Sequence, residues 1–240
     1  MAAQMTFKRY ELKYMLTRQQ RQRLLETMEG HMQLDQFGHS DIRNLYYDTD
    51  TFCMIRHSIE KPMYKEKLRV RSYGPAGPED KVFVELKKKY DSVVYKRRIS
   101  LPCQQALTCL TGSESFPKRS QIAREIEYVL KFYRTLHPAV FLSYEREAYY
   151  PLEGGDFRVT LDENIRFRQQ ELTLDGDRGG TALLQPDQVL MELKTSGGIP
   201  MWMARFLSRE RVYKTSFSKY GTAYQNYIAP ELLRRYAQYA

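Results

Sequence analysis

Residues 65–71 read Lys-Glu-Lys-Leu-Arg-Val-Arg. Lys65, Lys67, Arg69 and Arg71 fall at alternate positions, and Leu68 and Val70 lie between them. A period of two is the rhythm of a β-strand with unlike faces. The same rhythm recurs along the chain. Tyr10, Leu12 and Tyr14 alternate with Glu11 and Lys13. Residues 82–90 set Glu85, Lys87 and Lys89 opposite Val82, Val84 and Leu86. Residues 93–101 begin β-branched and then carry Lys96, Arg97 and Arg98. Residues 140–149 place Tyr144 and Arg146 on one face, and 157–165 set Arg158, Thr160 and Asp162 opposite Phe157, Val159 and Leu161. Residues 188–195 set Glu192 and Lys194 opposite Met191 and Leu193.

One such strand is ordinarily a solvated face. Here the pattern repeats, and the polar faces concentrate Arg and Lys with a carboxylate two residues away, as in Glu11–Lys13, Glu85–Lys87 and Glu192–Lys194. A sheet curled into a closed barrel gives such faces a lumen to line, with the apolar faces turned outward under helices. Like charges crowded in a dry lumen repel, so the expected occupant is water and a multivalent anion. Arg suits phosphate through its planar fork and Lys adds a point charge. The interspersed carboxylates can hold a divalent metal.

The spacing predicts helices between these strands. Thr17 caps one running toward Gly30, with Gln20 completing a capping box. Others are expected at 101–110 with Pro102 in the first turn, at 120–136, 200–207 and 230–239. Turns are marked at 74–78 and 175–180. No linker separates two domains, so residues 1–240 read as one α+β domain dominated by an antiparallel sheet.

Composition sets the bounds. In 240 residues, 38 Lys and Arg against 29 Asp and Glu leave +9, which calls for an anionic partner. No apolar run is long enough to span a membrane, and residues 1–5 lack a signal-peptide core, which predicts a cytoplasmic chain. Cys53, Cys103 and Cys109 match no zinc spacing and read as buried thiols, and the four histidines do not cluster. P-loop, HExxH and GxSxG motifs are missing. Nucleic acid is not expected, because the cations sit on strand faces with no exposed aromatic platform. The 19 tyrosines read as packing residues and Trp202 as a helix anchor.

Eight segments in order resemble one family: residues 7–14 (FKRYELKY), 44–49 (NLYYDT), 67–74 (KLRVRSYG), 84–87 (VELK), 143–149 (SYEREAY), 157–162 (FRVTLD), 190–194 (LMELK) and 218–220 (SKY). The chain is similar to the catalytic domain of VTC-type polyphosphate polymerases, within the triphosphate tunnel metalloenzyme (CYTH-like) superfamily. The resemblance implies an antiparallel β tunnel, a closed barrel with a basic lumen and helices packed outside. It implies transfer of the γ-phosphate of ATP onto inorganic polyphosphate with Mn2+ or Mg2+. Carried over by position, Lys13, Arg69, Arg71, Lys87, Arg158 and Lys219 are the expected catalytic groups. Arg9, Lys67, Lys96, Arg98, Tyr144, Arg146, Lys194 and Ser218 are the expected phosphate ligands, with Lys96 preferred to Arg98 as a lumen residue. Glu192 matches the family's metal-binding glutamate, and Glu85 and Glu11 are further metal candidates.

The superfamily marks its first strand Glu-x-Glu-x-Lys, whereas this chain reads Arg9-x-Glu11-x-Lys13, a cation for one carboxylate. That resembles the polymerase branch more than the triphosphatases or class IV cyclases. Family members in eukaryotes carry an SPX domain and membrane helices; this sequence contains neither and reads as a stand-alone catalytic domain, with a membrane-protein partner left open. The competing expectations are a hydrolase of tripolyphosphate or nucleoside triphosphates and a non-catalytic polyphosphate-binding module.

Overall fold

The alternating segments fold as strands. A computed structural model describes residues 10–91, 93–117 and 119–238. Among the described residues, ten strands form one antiparallel-rich sheet: β1 Tyr10–Thr17, β2 Met32–Asp48, β3 Tyr64–Tyr73, β4 Lys81–Tyr90, β5 Val93–Pro102, β6 His137–Pro151, β7 Arg158–Arg168, β8 Thr181–Ala182, β9 Gln188–Thr195 and β10 Lys214–Thr215. The helices are α1 Arg18–Met28, α2 Cys53–Ile59, α3 Cys103–Leu110, α4 Gln121–Tyr133, α5 Met201–Arg209, α6 Lys219–Ala223 and α7 Ala229–Ala237, with a π-helical turn over Tyr224–Ile228. The strand order β10-β1-β9-β7-β6-β2-β3-β4-β5 is a path with two ends, with β8 beside β7. The α+β class is as expected, whereas the barrel closure expected from the sequence is not part of this ladder.

The chain divides into two compact units. The first holds residues up to Asp41, Tyr144–Ile165 and Ala182–Phe217; the second holds Ile42–Ser143, Arg166–Thr181 and Ser218 onward. Each has its own core. In the first, Tyr14 and Leu16 of β1, Val159 and Leu161 of β7, and Val189, Met191 and Leu193 of β9 pack under Leu24 and Met28 of α1 and Met203, Phe206 and Leu207 of α5. In the second, Leu68 and Val70 of β3 and Val82, Val84 and Leu86 of β4 pack under Ala106, Cys109 and Leu110 of α3 and Ala123, Ile126 and Val129 of α4. Each buried Leu, Ile or Val on these faces contributes about 1.5–3 kcal/mol. That burial forces the alternate residues of the same strands onto the opposite face.

Local chemistry sets the helix starts. Thr17 Oγ1 accepts from Gln20 N at 3.1 Å and Gln20 Oε1 accepts from Thr17 N at 2.9 Å, the expected capping box. Ser120 caps α4 by accepting from Ala123 N. Pro102 and Pro200 precede α3 and α5 as their capping residues instead of lying in the first turn. Cys103 and Cys109 are buried as expected, but Cys53 is exposed, because it opens α2 on the solvent side. Trp202 is indeed an anchor: it stacks on His31 at 4.9 Å and meets Phe157 edge-on.

Candidate functional site

The charged face of the second unit is built in rungs across three strands. Lys67, Lys87 and Lys96 are direct neighbours across β3, β4 and β5. The next rung is Arg69, Glu85 and Arg98, and the one before it pairs Lys65 with Lys89. Like charges set directly opposite one another are destabilising. A fold that accumulates them therefore needs a counter-charge or an anionic ligand.

Glu85 is that counter-charge within the protein. It is 1% exposed. Its Oε2 accepts from Arg69 Nε at 2.9 Å and Nη2 at 2.7 Å. Its Oε1 accepts from Arg98 Nε at 2.7 Å and again from Arg98 Nη2, and pairs with Lys96 Nζ at 2.7 Å. Arg71 Nε lies 3.9 Å from Oε2. Burial pushes the Glu85 pKa up, but Arg69, Arg71 and Lys96 outweigh it and hold the carboxyl well below the usual carboxylate range. Partial desolvation draws Lys96, whose side chain is 44% exposed, down to about 8, with Arg98 and Arg71 adding to the effect and Glu85 opposing it. Lys96 and Arg98 thus reach the same carboxylate.

Neighbouring groups fix the two arginines. Tyr46 OH accepts from Arg69 Nη1 at 2.8 Å, and Asn44 Oδ1 accepts from Arg71 Nε at 3.0 Å. Tyr46 packs on Tyr220, whose buried hydroxyl donates to Asp48 Oδ2 at 2.9 Å. Asp48 also accepts from Thr49, Met54 and Ile55 N, which ties the end of β2 to the start of α2. Ser218 Oγ accepts from Lys67 Nζ at 3.4 Å and from Gly221 N, and Lys219 opens α6 in a buried position. Asn44, Tyr46 and Tyr220 were not among the expected site residues. Their signal was present in the segments 44–49 and 218–220, but only as motif members without a role.

The first unit carries a second charged face. Glu11, Lys194 and Arg158 form one rung across β1, β9 and β7, and Lys13, Glu192 and Thr160 form the next. Glu192, 5% exposed, lies 3.4 Å from Lys13 Nζ, 3.6 Å from Arg146 Nη2 and 3.6 Å from Lys194 Nζ. Lys13 also reaches Glu11 at 3.6 Å and donates to the Phe217 carbonyl at 3.1 Å. Arg146 makes a bidentate pair with Asp162 at 2.6 and 2.7 Å and lies over the Tyr144 ring. Burial works against the Arg146 charge, but Asp162 more than offsets it, so its pKa stands well above the ordinary value. Asp162 therefore partners Arg146 across the strands, not Arg158 along its own strand.

The structure thus brings together Lys67, Arg69, Arg71, Glu85, Lys87, Lys96, Arg98, Ser218 and Lys219 in one unit, and Glu11, Lys13, Tyr144, Arg146, Arg158, Glu192 and Lys194 in the other. Arg9 lies outside the described residues. Among the described residues no three His, Cys, Asp or Glu side chains converge as a metal cage. Mg2+ and similar hard ions are commonly held by one or two carboxylates plus substrate phosphates, so Glu192 with Glu11 near its Lys13 partner fits such an ion as an oxygen-only donor set.

The VTC domain family matches residues 8–228. The chain belongs to the VTC domain family. Two solved structures share its fold. One is a candidate adenylate cyclase from Bacillus halodurans, 16% identical over 87% of this chain and 92% of that chain, with a TM-score of 0.53. The other is a Hippeastrum protein studied as an adenylyl cyclase and found to have a dominant triphosphatase activity, 15% identical over 88% and 92%, with a TM-score of 0.51. No curated protein matches the sequence. Among the described residues, no helix is long and apolar enough to cross a membrane.

Proposed function

We propose that this VTC-domain protein is a polyphosphate polymerase that transfers the γ-phosphate of ATP to the end of an inorganic polyphosphate chain. The observation that carries the reading is the rung of Arg69, Glu85 and Arg98 beside the rung of Lys67, Lys87 and Lys96. One buried carboxylate holds the guanidinium groups in place ahead of the substrate. Phosphoryl transfer asks a protein chiefly for position and charge stabilisation, and this face supplies both. Lys13, Arg158 and Lys194 supply cations on the other face. A closed, phosphate-filled tunnel is the form the family implies for these faces, and it is proposed on that ground.

In the reaction the terminal oxygen of polyphosphate attacks the γ-phosphorus, the bond from that phosphorus to the β,γ-bridging oxygen breaks, and ADP leaves. The acceptor is already an oxyanion, so no general base is required. Arg69, Arg71 and Lys87 would orient the donor and offset charge on the transferred group, and Lys219 would assist from α6. Of the three carboxylates expected to bind metal, we retain Glu192 and Glu11. Mn2+ or Mg2+ bound there would neutralise phosphate oxygens. Glu85 is instead a positioning residue, since both its oxygens are given to cations.

A triphosphatase is the second reading, favoured by the dominant activity of the Hippeastrum protein of the same fold. Arg9 in the place of the first superfamily carboxylate favours the polymerase. The protein is incubated with ATP and Mn2+, and the products are resolved on a gel stained for polyphosphate. A ladder with ADP supports the polymerase and orthophosphate without chains the hydrolase. Polyphosphate binding without turnover would leave only a binding module.

A further inference from the structure

Thr160 is out of keeping with its surroundings. It is 6% exposed, and its hydroxyl oxygen is buried with no hydrogen-bond partner among the described residues. A buried hydroxyl left unpaired costs about 1–3 kcal/mol, so native proteins rarely keep one without a use. Its position supplies a use. Thr160 sits directly across from Glu192 on β9, which sits across from Lys13 on β1, and Arg158 and Asp162 flank Thr160 at alternate positions of its own strand. The side chain therefore shares the charged face, not the apolar face of Val159 and Leu161 that packs into the core.

The surrounding charge indicates which ligand could complete the hydroxyl. Asp162 is spoken for by the bidentate Arg146 pair. Lys13, Arg158 and Lys194 then outnumber Glu11 and Glu192 on the two rungs. Beside those cations an anionic oxygen would be drawn in. Threonine donates one hydrogen through a rotor that packing does not fix. We infer that Thr160 is a substrate-binding residue whose hydroxyl donates to a phosphate oxygen of the bound chain at the Lys13–Glu192 rung. The inference rests on the reading that this face binds phosphates.

The test uses the full chain and inorganic tripolyphosphate as the probe, without metal, by calorimetry and by thermal unfolding. Thr160→Val keeps the shape and removes the hydroxyl, and Thr160→Ser keeps the hydroxyl. Loss of one hydrogen bond to a charged group predicts an affinity at least about tenfold weaker for Thr160→Val, with Thr160→Ser close to wild type. Without ligand, Thr160→Val is expected to melt no lower than wild type, since it removes a group that the fold leaves unpaired. Equal affinity of wild type and Thr160→Val overturns the inference. So does a lowered melting temperature for ligand-free Thr160→Val, which would show the hydroxyl bonded within the protein. Failure of the wild type itself to bind tripolyphosphate would instead overturn the phosphate-binding reading.

Discussion

Replacing Glu85 by Gln keeps the shape of the side chain and removes one charge. In the wild type that charge is 1% exposed and faces Arg69, Arg71, Lys96 and Arg98. Removing one partner of a buried ion pair costs about 3–5 kcal/mol, because the remaining charge is left uncompensated. Here several cations are left, so the upper part of that range is expected. For a chain of this size, each kcal/mol shifts the melting temperature by about 2–4 °C, so about 4–5 kcal/mol gives a fall of about 8–20 °C. A phosphate chain can take over the lost counter-charge, so tripolyphosphate should raise the melting temperature of Glu85→Gln more than that of wild type. The pH dependence follows the sign of the pKa shift. The carboxyl is held below its unfolded value, so its stabilisation is complete above about pH 4.3 and is lost as pH falls below that. Glu85→Gln should therefore lose stability at neutral pH and show a weaker acid dependence than wild type. Urea unfolding at pH 7 and thermal scans with and without tripolyphosphate measure all of this. A variant within 1 kcal/mol of wild type at pH 7 would refute the assignment of Glu85 as the organising counter-charge.

Lys96, at about 8, is charged below that pH and neutral above it, so metal-free tripolyphosphate affinity should weaken as pH rises from 7 to 9. Lys96→Arg, always protonated, should flatten that profile in a binding titration. Tyr220→Phe removes the buried bond to Asp48 and should cost about 1–3 kcal/mol in a denaturant midpoint. Asp48 is already pushed up, first by burial and against the backbone N–H bonds, and losing Tyr220 should raise it further. Glu192→Gln should abolish Mn2+-dependent turnover of ATP while leaving a folded protein, checked by circular dichroism beside the polyphosphate gel. Near wild-type turnover with retained metal dependence would remove Glu192 from the metal site.

Strands whose faces differ were legible. Residues 65–71, 82–90 and 188–195 alternate because one face is buried under helices and the other is charged, so composition carries the period. The long strand β2 was not legible. From Ile42 to Asp48 every residue is buried, on both faces, which erases the alternation. Its earlier part is polar and contains Gly38, which reads as a loop. The short helix α2 escaped because its start is secured by Asp48, several residues upstream and in another element. Cations of the candidate site could be found from face and type alone. Their partners could not, because period two assigns a face but not the neighbouring strand or its register. The spacing set Lys87 beside Glu85 along the strand; the structure adds Arg69, Lys96 and Arg98 from neighbouring strands, and it gives Asp162 to Arg146. Period two put Thr160 on the charged face, but its unpaired hydroxyl is a property of packing that spacing does not carry.

Glu85 and Glu192, both buried, differ in a way that separates positioning from exchange. Charge-assisted hydrogen bonds run at about 2.7–2.9 Å. Glu85 accepts from Arg69 at 2.7 and 2.9 Å and from Arg98 at 2.7 Å, with Lys96 at 2.7 Å, so a metal could bind only by breaking several strong bonds. Glu192 meets Lys13, Arg146 and Lys194 at 3.4–3.6 Å, longer than the contacts of Glu85. Arg146 loses little if that contact changes, because Asp162 holds it at 2.6 and 2.7 Å. Lys13 and Lys194 are then the groups that would move with the substrate, from Glu192 to phosphate, leaving the carboxylate to an incoming cation. Under the proposed function the Glu85 face would hold its cations ready for phosphate, and the Glu192 face would exchange partners when phosphate and metal bind.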